Sequence, residues 1–369
     1  MNVSIVPIEG LVFPDSSPYQ RIAPPKCQIA DSAFWDYYDH KTLFYMAIFD
    51  AQKQELTLFA PLLLNFKAIA LSAKYSIDGV SLPQPKYRQG DKFDCLILHC
   101  AKAGNLLRVD IDDFSGVIPI TMPEPDLFAG TNLVFTMSRD NNLMWIRDWL
   151  IWNHKTHGAD AVLFLDNGST TYTTKDLAQT IASVPGYRRA QIVSVPFRFG
   201  PPIETASYYS DCQFLQATLL NVLWKRFMFA ANAMLNVDID ELMIAPNGLA
   251  IFDAVKTARW GIIVAKGKWR YSQPMTSLCR HSDHYYKIET DTPCPTKYCV
   301  RPNSVAGRRI LKVHNVKGLK RMPFVDRKTF QYLHCRNIST SWKYDRSQID
   351  ASNLVEDTET RRALTSVFG

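Results

Sequence analysis

The sequence predicts an α/β protein in which a small β-rich N-terminal domain precedes a mostly parallel sheet flanked by helices. The chain has 369 residues, 47% of them hydrophobic and 12% aromatic, which suffices for one large core or two medium ones. Residues 1–130 contain short β-like runs separated by turn residues, whereas apolar strands alternate with helical patterns from Thr131 onward. We therefore predict domains at 1–130 and 131–345, followed by a polar helical tail at 346–369.

The N-terminal domain is predicted from apolar or alternating runs that are short enough to be strands. They are Leu43–Phe49, Leu56–Leu63, Ala68–Tyr75, Phe93–His99 and Leu106–Ile111. Turn residues between them favour a small antiparallel sandwich or barrel, which we interpret as a carbohydrate-binding or assembly module. A linker rich in proline and acidic residues follows at Pro119–Gly130.

The second domain is predicted from strands and helices that alternate along the chain. Predicted strands are Asn132–Met137, Ala161–Leu165 and Gln191–Phe197, and predicted helices are Leu143–His154, Thr174–Ser183 and a long segment at Asp211–Leu235. Ligands of such sheets bind at the carboxyl ends of the strands. Arg139, Asp166 and Asp238 each follow an apolar run, so all three are expected at that edge.

The acidic motif Asp238-Ile239-Asp240-Glu241 is the strongest chemical signal. In an extended segment Asp238 and Asp240 point to the same side, where two carboxylates repel each other unless a cation lies between them. Mg²⁺ or Mn²⁺ bound to a diphosphate supplies that charge. The alternative is a solvent-exposed acidic turn, but the flanking residues are strongly apolar, which favours a metal site.

Two other polar clusters follow predicted strands. Asp166, with Asn167 beside it, can accept the ring N–H of a pyrimidine base, although a helix cap or turn uses the same residue types. Arg139, with Asn141 beside it, can contact phosphate, ribose or base, and the alternative is a surface ion pair with a neighbouring aspartate. We assign all four residues to substrate binding.

The charge and cysteine content narrow the classes of partner. The net charge of +7 suits an anionic ligand or an anionic membrane surface, but it is too small and too dispersed to indicate nucleic acid. No apolar run is long enough to span a bilayer, so any membrane association is expected to be peripheral, at the inner face. The cysteines have ordinary density and are expected to be mostly reduced, as in a cytoplasmic protein. Five Cys and His residues between 279 and 299 can suggest zinc, but the C-x2-C spacing is missing.

Several segments together resemble glycosyltransferase family 2-like and family 92-like enzymes. The run TMSRDNNLMWIRDWLIWNHKTHGADAVLFLDNGSTTY resembles the opening of these enzymes, and NVDIDELM resembles their Asp-x-Asp-Glu metal motif. Further similarity lies at Lys297–Pro302, Lys312–Val316 and Tyr332–Arg336, where Cys335 stands in place of the usual tyrosine. The resemblance spans about residues 131–345 and leaves the first 130 residues outside.

The resemblance implies a GT-A-like fold, Mn²⁺ or Mg²⁺ as the cofactor, and inverting transfer of a sugar from a nucleotide-diphosphate donor. A UDP-sugar is favoured as the donor, and the acceptor is a hydroxyl of a glycan or lipid-linked glycan, as in bacterial surface polysaccharide synthesis. By the same resemblance, Asp166 binds the base. Asp238 and Asp240 hold ribose, diphosphate and metal. His314 is a further metal ligand unless it is a buried structural histidine.

Other candidate residues follow from the chemistry that such a transfer requires. Lys297 and Arg301 begin a basic stretch, continued by Arg308, Arg309 and Lys312, that either closes over the diphosphate or forms a solvated face. Trp269 is either a stacking platform for a sugar or part of the core. The catalytic base is one of Asp283, Glu289 and Asp291. A metal-dependent nucleotidyltransferase and a non-catalytic carbohydrate-binding protein are the alternative functions.

Overall fold

The chain forms two compact units. The structure, a computed structural model, describes residues 1–25, 27, 32–201, 211–273, 279–291, 293–338 and 353–369. One unit, here called the α/β unit, comprises Met1–Val6, Phe128–Val195 and Met228–Gly369, and the other, the β-rich unit, comprises Pro7–Leu127 and Pro196–Phe227. Residues 196–227 therefore belong to the β-rich unit, although the predicted division at 130 assigns them to the second domain. The predicted boundary between 345 and 346 lies outside the described residues.

Strands and helices are numbered in chain order. The strands are β1 (Asn2–Pro7), β2 (Leu11–Val12), β3 (Thr42–Phe44), β4 (Met46–Asp50), β5 (Glu55–Pro61), β6 (Lys74–Ile77), β7 (Val80–Ser81), β8 (Lys86–Gln89), β9 (Phe93–His99), β10 (Leu106–Ile111), β11 (Phe114–Thr121), β12 (Asn132–Ser138), β13 (Ala161–Asp166), β14 (Arg189–Ser194), β15 (Ala233–Asn236), β16 (Glu241–Met243), β17 (Ile262–Arg270), β18 (Tyr286–Ile288), β19 (Pro293–Val300), β20 (Gln331–Cys335) and β21 (Leu354–Glu356). The helices are α1 (Phe34–Tyr37), α2 (Phe66–Ser72), α3 (Leu143–His157), α4 (Thr174–Ala182), α5 (Leu215–Phe227), α6 (Ile251–Thr257) and α7 (Thr358–Phe368).

A mixed sheet of nine described strands is the centre of the α/β unit. Its order is β1-β14-β13-β12-β15-β19-β17-β20-β16. Strands β14, β13, β12 and β15 pair in parallel with one another, whereas β19 runs antiparallel to both β15 and β17. Strand β20 pairs with β17 in parallel and with β16 in antiparallel orientation. The protein is therefore an α/β protein.

Local sequence explains the first elements of this sheet. Every residue of β13 is buried, because a parallel strand covered on both faces reads as one apolar run. Helix α3 begins at an Asn142 cap and ends at Gly158, which adopts the left-handed conformation that suits glycine at a helix end. Its buried tryptophans, Trp149 and Trp152, pack into the main core of the unit.

Two predicted elements are wrong, and long-range pairing or helical spacing explains each. The long helix predicted at Asp211–Leu235 ends at Phe227, and Ala233–Asn236 is instead β15, which pairs between β12 and β19. Tertiary pairing here outweighs local helical preference. The strand predicted at Ala68–Tyr75 is mostly helix α2, whose buried residues Phe66 and Ala70 are spaced by one helical turn.

The β-rich unit contains a sheet of eight described strands in the order β7-β6-β10-β11-β4-β5-β9-β8. All its described pairings are antiparallel except that of β11 with β4. Cys27 and Cys212 form a disulfide across 185 residues of sequence, and the other six cysteines form none with a described residue. A pair so far apart in sequence has no spacing signal, which is why it was not predicted. Among the described helices, none has the length and apolar character required to cross a membrane.

Candidate functional site

Four parallel strands bring the predicted polar clusters to one edge of the sheet. Ser138, Asp166 and Ser194 end β12, β13 and β14 and are aligned in register. From β14 the chain crosses to β15 on the other side of β12, so the strand order reverses between β12 and β15. Such a switch point is where doubly wound sheets bind nucleotides. The turns after β12 and β15, which carry Arg139 and Asp238, flank this crevice.

Asp166 stabilises the turn that follows β13. Its Oδ1 atom accepts hydrogen bonds from the Ser169 backbone N–H, at 3.3 Å, and from the Ser169 hydroxyl. Burial raises the pKa of the Asp166 carboxyl, and the hydrogen bonds from Ser169 oppose that shift. The hydroxyl of Ser169 also accepts the Asp140 N–H at 2.8 Å, which joins this turn to the one after β12. Asp166 thus lies at the predicted edge and is already engaged in turn formation.

The other predicted residues of this edge differ in what they can offer a ligand. Asn141 donates to the Ser138 hydroxyl at 2.8 Å within the turn after β12, and Asn167 donates to the Val195 carbonyl at 3.0 Å, which joins the turns after β13 and β14. The side chain of Arg139 is 43% exposed, and its Nε lies 3.7 Å from an Asp140 carboxylate oxygen. Arg139 is therefore the residue of this group best placed to contact a phosphate.

The acidic motif forms a turn, which corrects the expected extended segment. The Glu241 N–H donates to the Asp238 carbonyl at 3.1 Å, and the Asp238 N–H donates to Glu241 Oε2 at 2.8 Å. Because the chain turns here between β15 and β16, Asp238 and Asp240 do not share one face of a strand. Each carboxylate instead meets a different partner.

Lys297 is the partner of Asp238 and Glu241. Its fully buried Nζ lies 2.8 Å from Asp238 Oδ2 and 3.0 Å from Glu241 Oε2. Burial lowers the pKa of the Lys297 ammonium, but the two carboxylates outweigh this effect and raise the pKa above its ordinary value. Burial raises the pKa of Glu241, and Lys297 opposes that shift. Lys297, predicted to bind substrate, therefore lies inside the acidic cluster.

Asp240, Glu241 and His334 form a buried group whose ligand atoms lie within 4.8 Å of one another. Strand register creates it, since His334 on β20 pairs with Glu241 on β16 and with Trp269 on β17. His334 Nε2 lies 3.0 Å from Asp240 Oδ2. Two carboxylates and an imidazole fit a divalent ion that accepts mixed oxygen and nitrogen ligands. These three residues can therefore hold a metal ion, and within the described ranges no other such group occurs.

Trp269 and His281 hold this group in place. The Trp269 ring stacks on the His334 imidazole with centroids 3.9 Å apart and planes 14° apart, so Trp269 packs against a candidate ligand. His281 is buried and its Nε2 lies 2.8 Å from the Ile239 carbonyl, within the acidic turn. Burial lowers the pKa of His281 to about 4, which keeps the ring neutral and able to donate to that carbonyl.

The sequence predicts His314 as the third metal ligand and assigns His334 no firm role. His314 is exposed, and its carbonyl accepts a hydrogen bond from Thr296 at 2.6 Å. The adjacent Val313 carbonyl accepts from Asn236 at 2.8 Å, so this segment lies beside the end of β15 but contributes nothing to the buried group. Glu241 was detectable because it adjoins Asp240. The position of His334 depends on a pairing across 93 residues, which no local pattern reveals.

The remaining predicted residues are dispersed. Arg301 lies at the opposite edge from Asp238, since Val300 pairs with Met234 near the start of β15. Asp283 accepts the Arg280 N–H at 2.7 Å, and Asp291 forms ion pairs with Arg270 and Lys268. Glu289 is exposed.

The zinc alternative finds no support in the described part of the chain. His284 is buried, and its two ring nitrogens contact the backbone carbonyls of Arg280 and Arg336. His281 likewise contacts a carbonyl, and Cys279, Cys294 and Cys299 are buried and form no disulfide within the described ranges.

Comparison with known proteins assigns no family. No family model matches the chain, and no curated protein matches it. A solved structure described as "Crystal Structure of a Mycobacterial Protein" is similar over 57% of this chain and 67% of its own length, with 13% identity and a TM-score of 0.28. A similarity this low carries no inference about fold or function.

Proposed function

We propose that this protein is a metal-dependent glycosyltransferase of GT-A type that uses a nucleotide-diphosphate sugar, with UDP-sugars favoured. The observation that carries the proposal is the meeting of two features at one sheet edge. The strand order reverses between β12 and β15, as at the nucleotide sites of doubly wound sheets, and the turn after β15 brings Asp240 and Glu241 to His334 of β20. A diphosphate in the crevice requires a cation, and the neighbouring group supplies its ligands.

The residues divide into those that bind a metal and those that position the binders. Asp240, Glu241 and His334 would hold Mn²⁺ or Mg²⁺, and the imidazole favours Mn²⁺ because Mg²⁺ prefers oxygen ligands alone. When bound, the ion neutralises charge on the leaving diphosphate. Lys297 holds Asp238 and Glu241, and Trp269 orients the His334 ring. Arg139 contributes an exposed guanidinium on the other side of the crevice.

Charge arithmetic supports a single divalent ion in this cluster. Asp238, Asp240 and Glu241 carry three negative charges when ionised, and Lys297 offsets one of them. One divalent ion neutralises the remaining two. Transfer of a hexosyl group to a glycan or lipid-linked glycan hydroxyl then requires a base. Asp283 is the candidate nearest the acidic turn, because it ends a short 3-10 helix, His281–Asp283, whose first residue contacts the Ile239 carbonyl.

The test is calorimetric titration of UDP and GDP into the protein, with Mn²⁺ and with EDTA, beside Asp240→Asn. Asp253→Asn is the matched control, because Asp253 is exposed and its described ion pair is with Lys256. We expect one nucleotide to bind only with Mn²⁺, and the affinity to fall at least about tenfold in Asp240→Asn but not in Asp253→Asn. Binding of neither nucleotide under any condition would overturn the proposal.

A further inference from the structure

The positive charge of this protein is concentrated in one segment. Residues 301–328 contain nine Lys and Arg side chains and one acidic residue, Asp326, a formal charge of +8. The whole chain carries +7, so all other residues together sum to −1. The expectation that the net positive charge is dispersed along the chain is therefore wrong, because residues 301–328 account for it. This segment belongs wholly to the α/β unit.

This segment lines a cavity of about 910 Å³. Its wall includes Thr296 from β19 and Val264 from β17. Seven cationic side chains also line it, namely Lys312 and six others: Arg308, Arg309, Lys317, Lys320, Arg321 and Arg327. The volume falls within the range of roughly 300–1,000 Å³ that is usual for small-molecule sites.

The six cations other than Lys312 have no carboxylate partner among the described residues. In the described ranges none of them forms an ion pair, whereas the buried Lys297 has two. The Arg327 guanidinium donates to two backbone carbonyls, of Leu319 and Val325, which orients it without neutralising it. Like charges that converge on one concavity repel each other, and an anion inside it relieves that repulsion.

The cavity is separate from the acidic cluster. Successive side chains of a strand point to opposite faces of the sheet. Thr296 of β19 lines the cavity, whereas the next residue, Lys297, reaches Asp238 and Glu241. The cavity and the acidic cluster therefore use opposite faces of the same strand.

We propose that this cavity binds a compact anion that carries at least two phosphate groups and that it does so without a divalent ion. Several guanidinium groups favour phosphate, because their planar fork donates two parallel hydrogen bonds to a pair of phosphate oxygens. A single carboxylate would leave most of the cations unbalanced. A soluble polyphosphorylated molecule and a phosphorylated lipid headgroup present the same chemistry.

The first test is calorimetric titration of inorganic triphosphate into the protein in EDTA. The test variant is Arg309→Gln with Lys320→Gln, which removes two exposed charges from the cavity wall. The matched control is Lys175→Gln with Arg362→Gln, which removes two exposed charges elsewhere. We expect at least a tenfold loss of affinity in the cavity variant, because it removes two cations that can donate charged hydrogen bonds to phosphate oxygens. Equal losses in both variants would overturn the proposal.

A second arm separates this site from the proposed donor site. Asp240→Asn should bind triphosphate in EDTA as tightly as the wild type. Binding that requires Mn²⁺, or that is lost in Asp240→Asn, would place the anion at the acidic cluster and overturn the cavity proposal. Failure of UDP and GDP to bind would leave the triphosphate result unaffected, so the two proposals fail separately.

A third arm identifies the source of the phosphate. Vesicles of phosphatidylcholine with phosphatidylinositol bisphosphate are compared, by sedimentation, with phosphatidylserine vesicles of equal surface charge. Preference for the bisphosphate lipid, reduced in the cavity variant, supports a headgroup ligand. Triphosphate binding with no vesicle binding supports a soluble ligand. Binding to neither probe overturns the proposal.

Discussion

The acidic cluster and the basic cavity differ in the burial and the partners of their charged side chains, although strand β19 contributes to both. In the acidic cluster, the charges are largely buried and Lys297 compensates part of them within the protein, through its contacts with Asp238 and Glu241. In the cavity, exposed cations such as Arg309 and Lys320 have no described carboxylate partner. Burial explains the difference, because an unpaired charge is costly in the interior and tolerable at the surface.

This contrast separates stability from binding. Removing a charge from the acidic cluster should destabilise the fold, because its partners stay buried. Removing a charge from the cavity should weaken ligand binding and leave the fold intact. The three predictions that follow test this contrast in decreasing order of expected effect.

Lys297→Met should cause the largest loss of stability. Methionine fills similar space but leaves the carboxylates of Asp238 and Glu241 without their shared cation. Removing one partner of a buried ion pair costs about 3–5 kcal/mol, and the partial exposure of Asp238 places the expected value toward the lower end. Urea denaturation followed by tryptophan fluorescence measures the free energy of unfolding.

The matched control for this variant is Lys266→Met, on the neighbouring strand β17, where the lysine is exposed. It should change stability by less than about 0.5 kcal/mol. Adding Glu241→Gln to Lys297→Met removes one uncompensated carboxylate and should restore part of the loss. If Lys297→Met is as stable as Lys266→Met, the charge of Lys297 has no stabilising role.

His157 shows a third way to bury an ionisable group, which is to keep it neutral. Its Nε2 lies 2.8 Å from the Met243 carbonyl, and its Nδ1 accepts the Ile251 N–H at 3.2 Å, so no site remains for a second proton. Burial lowers the pKa of His157 from 6.5 to about 4. Between these values the unfolded chain binds a proton that the folded chain excludes. The free energy of unfolding therefore falls as the pH falls through this interval.

From about pH 7.5 to pH 5, His157 should account for a loss of about 2 kcal/mol, at 1.36 kcal/mol for each pKa unit. The measurement is urea denaturation at both pH values, in wild type and His157→Gln. The variant should lose this share of the pH dependence, whereas His99→Gln, at an exposed histidine, should keep it. An unchanged pH dependence in His157→Gln would show that other groups cause the acid instability.

Local sequence predicted the elements whose pattern is unambiguous. Strand β13 was found because its apolar run is buried on both faces, and helix α3 was found from its apolar spacing and the glycine that ends it. The acidic turn was located in sequence, since carboxylates interrupt an apolar segment. The shape of this turn was not predicted, because the sequence resembles a strand there. The hydrogen bond from the Glu241 N–H to the Asp238 carbonyl makes the segment a turn.

The composition of the site depended on contacts between distant residues, which one sequence does not reveal. His334 reaches Asp240 only because β20 lies between β16 and β17. Lys297 and Arg301 appeared to be one basic stretch, but β19 carries them to opposite ends of β15. The concentration of charge in residues 301–328 was visible in the sequence, whereas its convergence on a cavity was not.

The smallest predicted effect is also the sharpest test of the contrast, because removing charge from the cavity should stabilise the fold, whereas removing Lys297 should destabilise it. Arg309→Gln with Lys320→Gln should raise the free energy of unfolding slightly at low salt, by less than about 0.5 kcal/mol, since it relieves repulsion among exposed cations. At about 1 M NaCl, where the Debye length is only 3 Å, the difference from wild type should vanish.

The control variant, Lys175→Gln with Arg362→Gln, should show no such salt-dependent gain, because its two charges lie outside the cavity. A loss of stability in the cavity variant would mean that these cations take part in stabilising ion pairs, which would contradict the proposed anion site. A gain in the free energy of unfolding that disappears at high salt would instead show that the cations of the cavity repel one another in the wild type. Triphosphate should then stabilise the wild type more than the variant, because the ligand supplies the opposite charge that the fold does not.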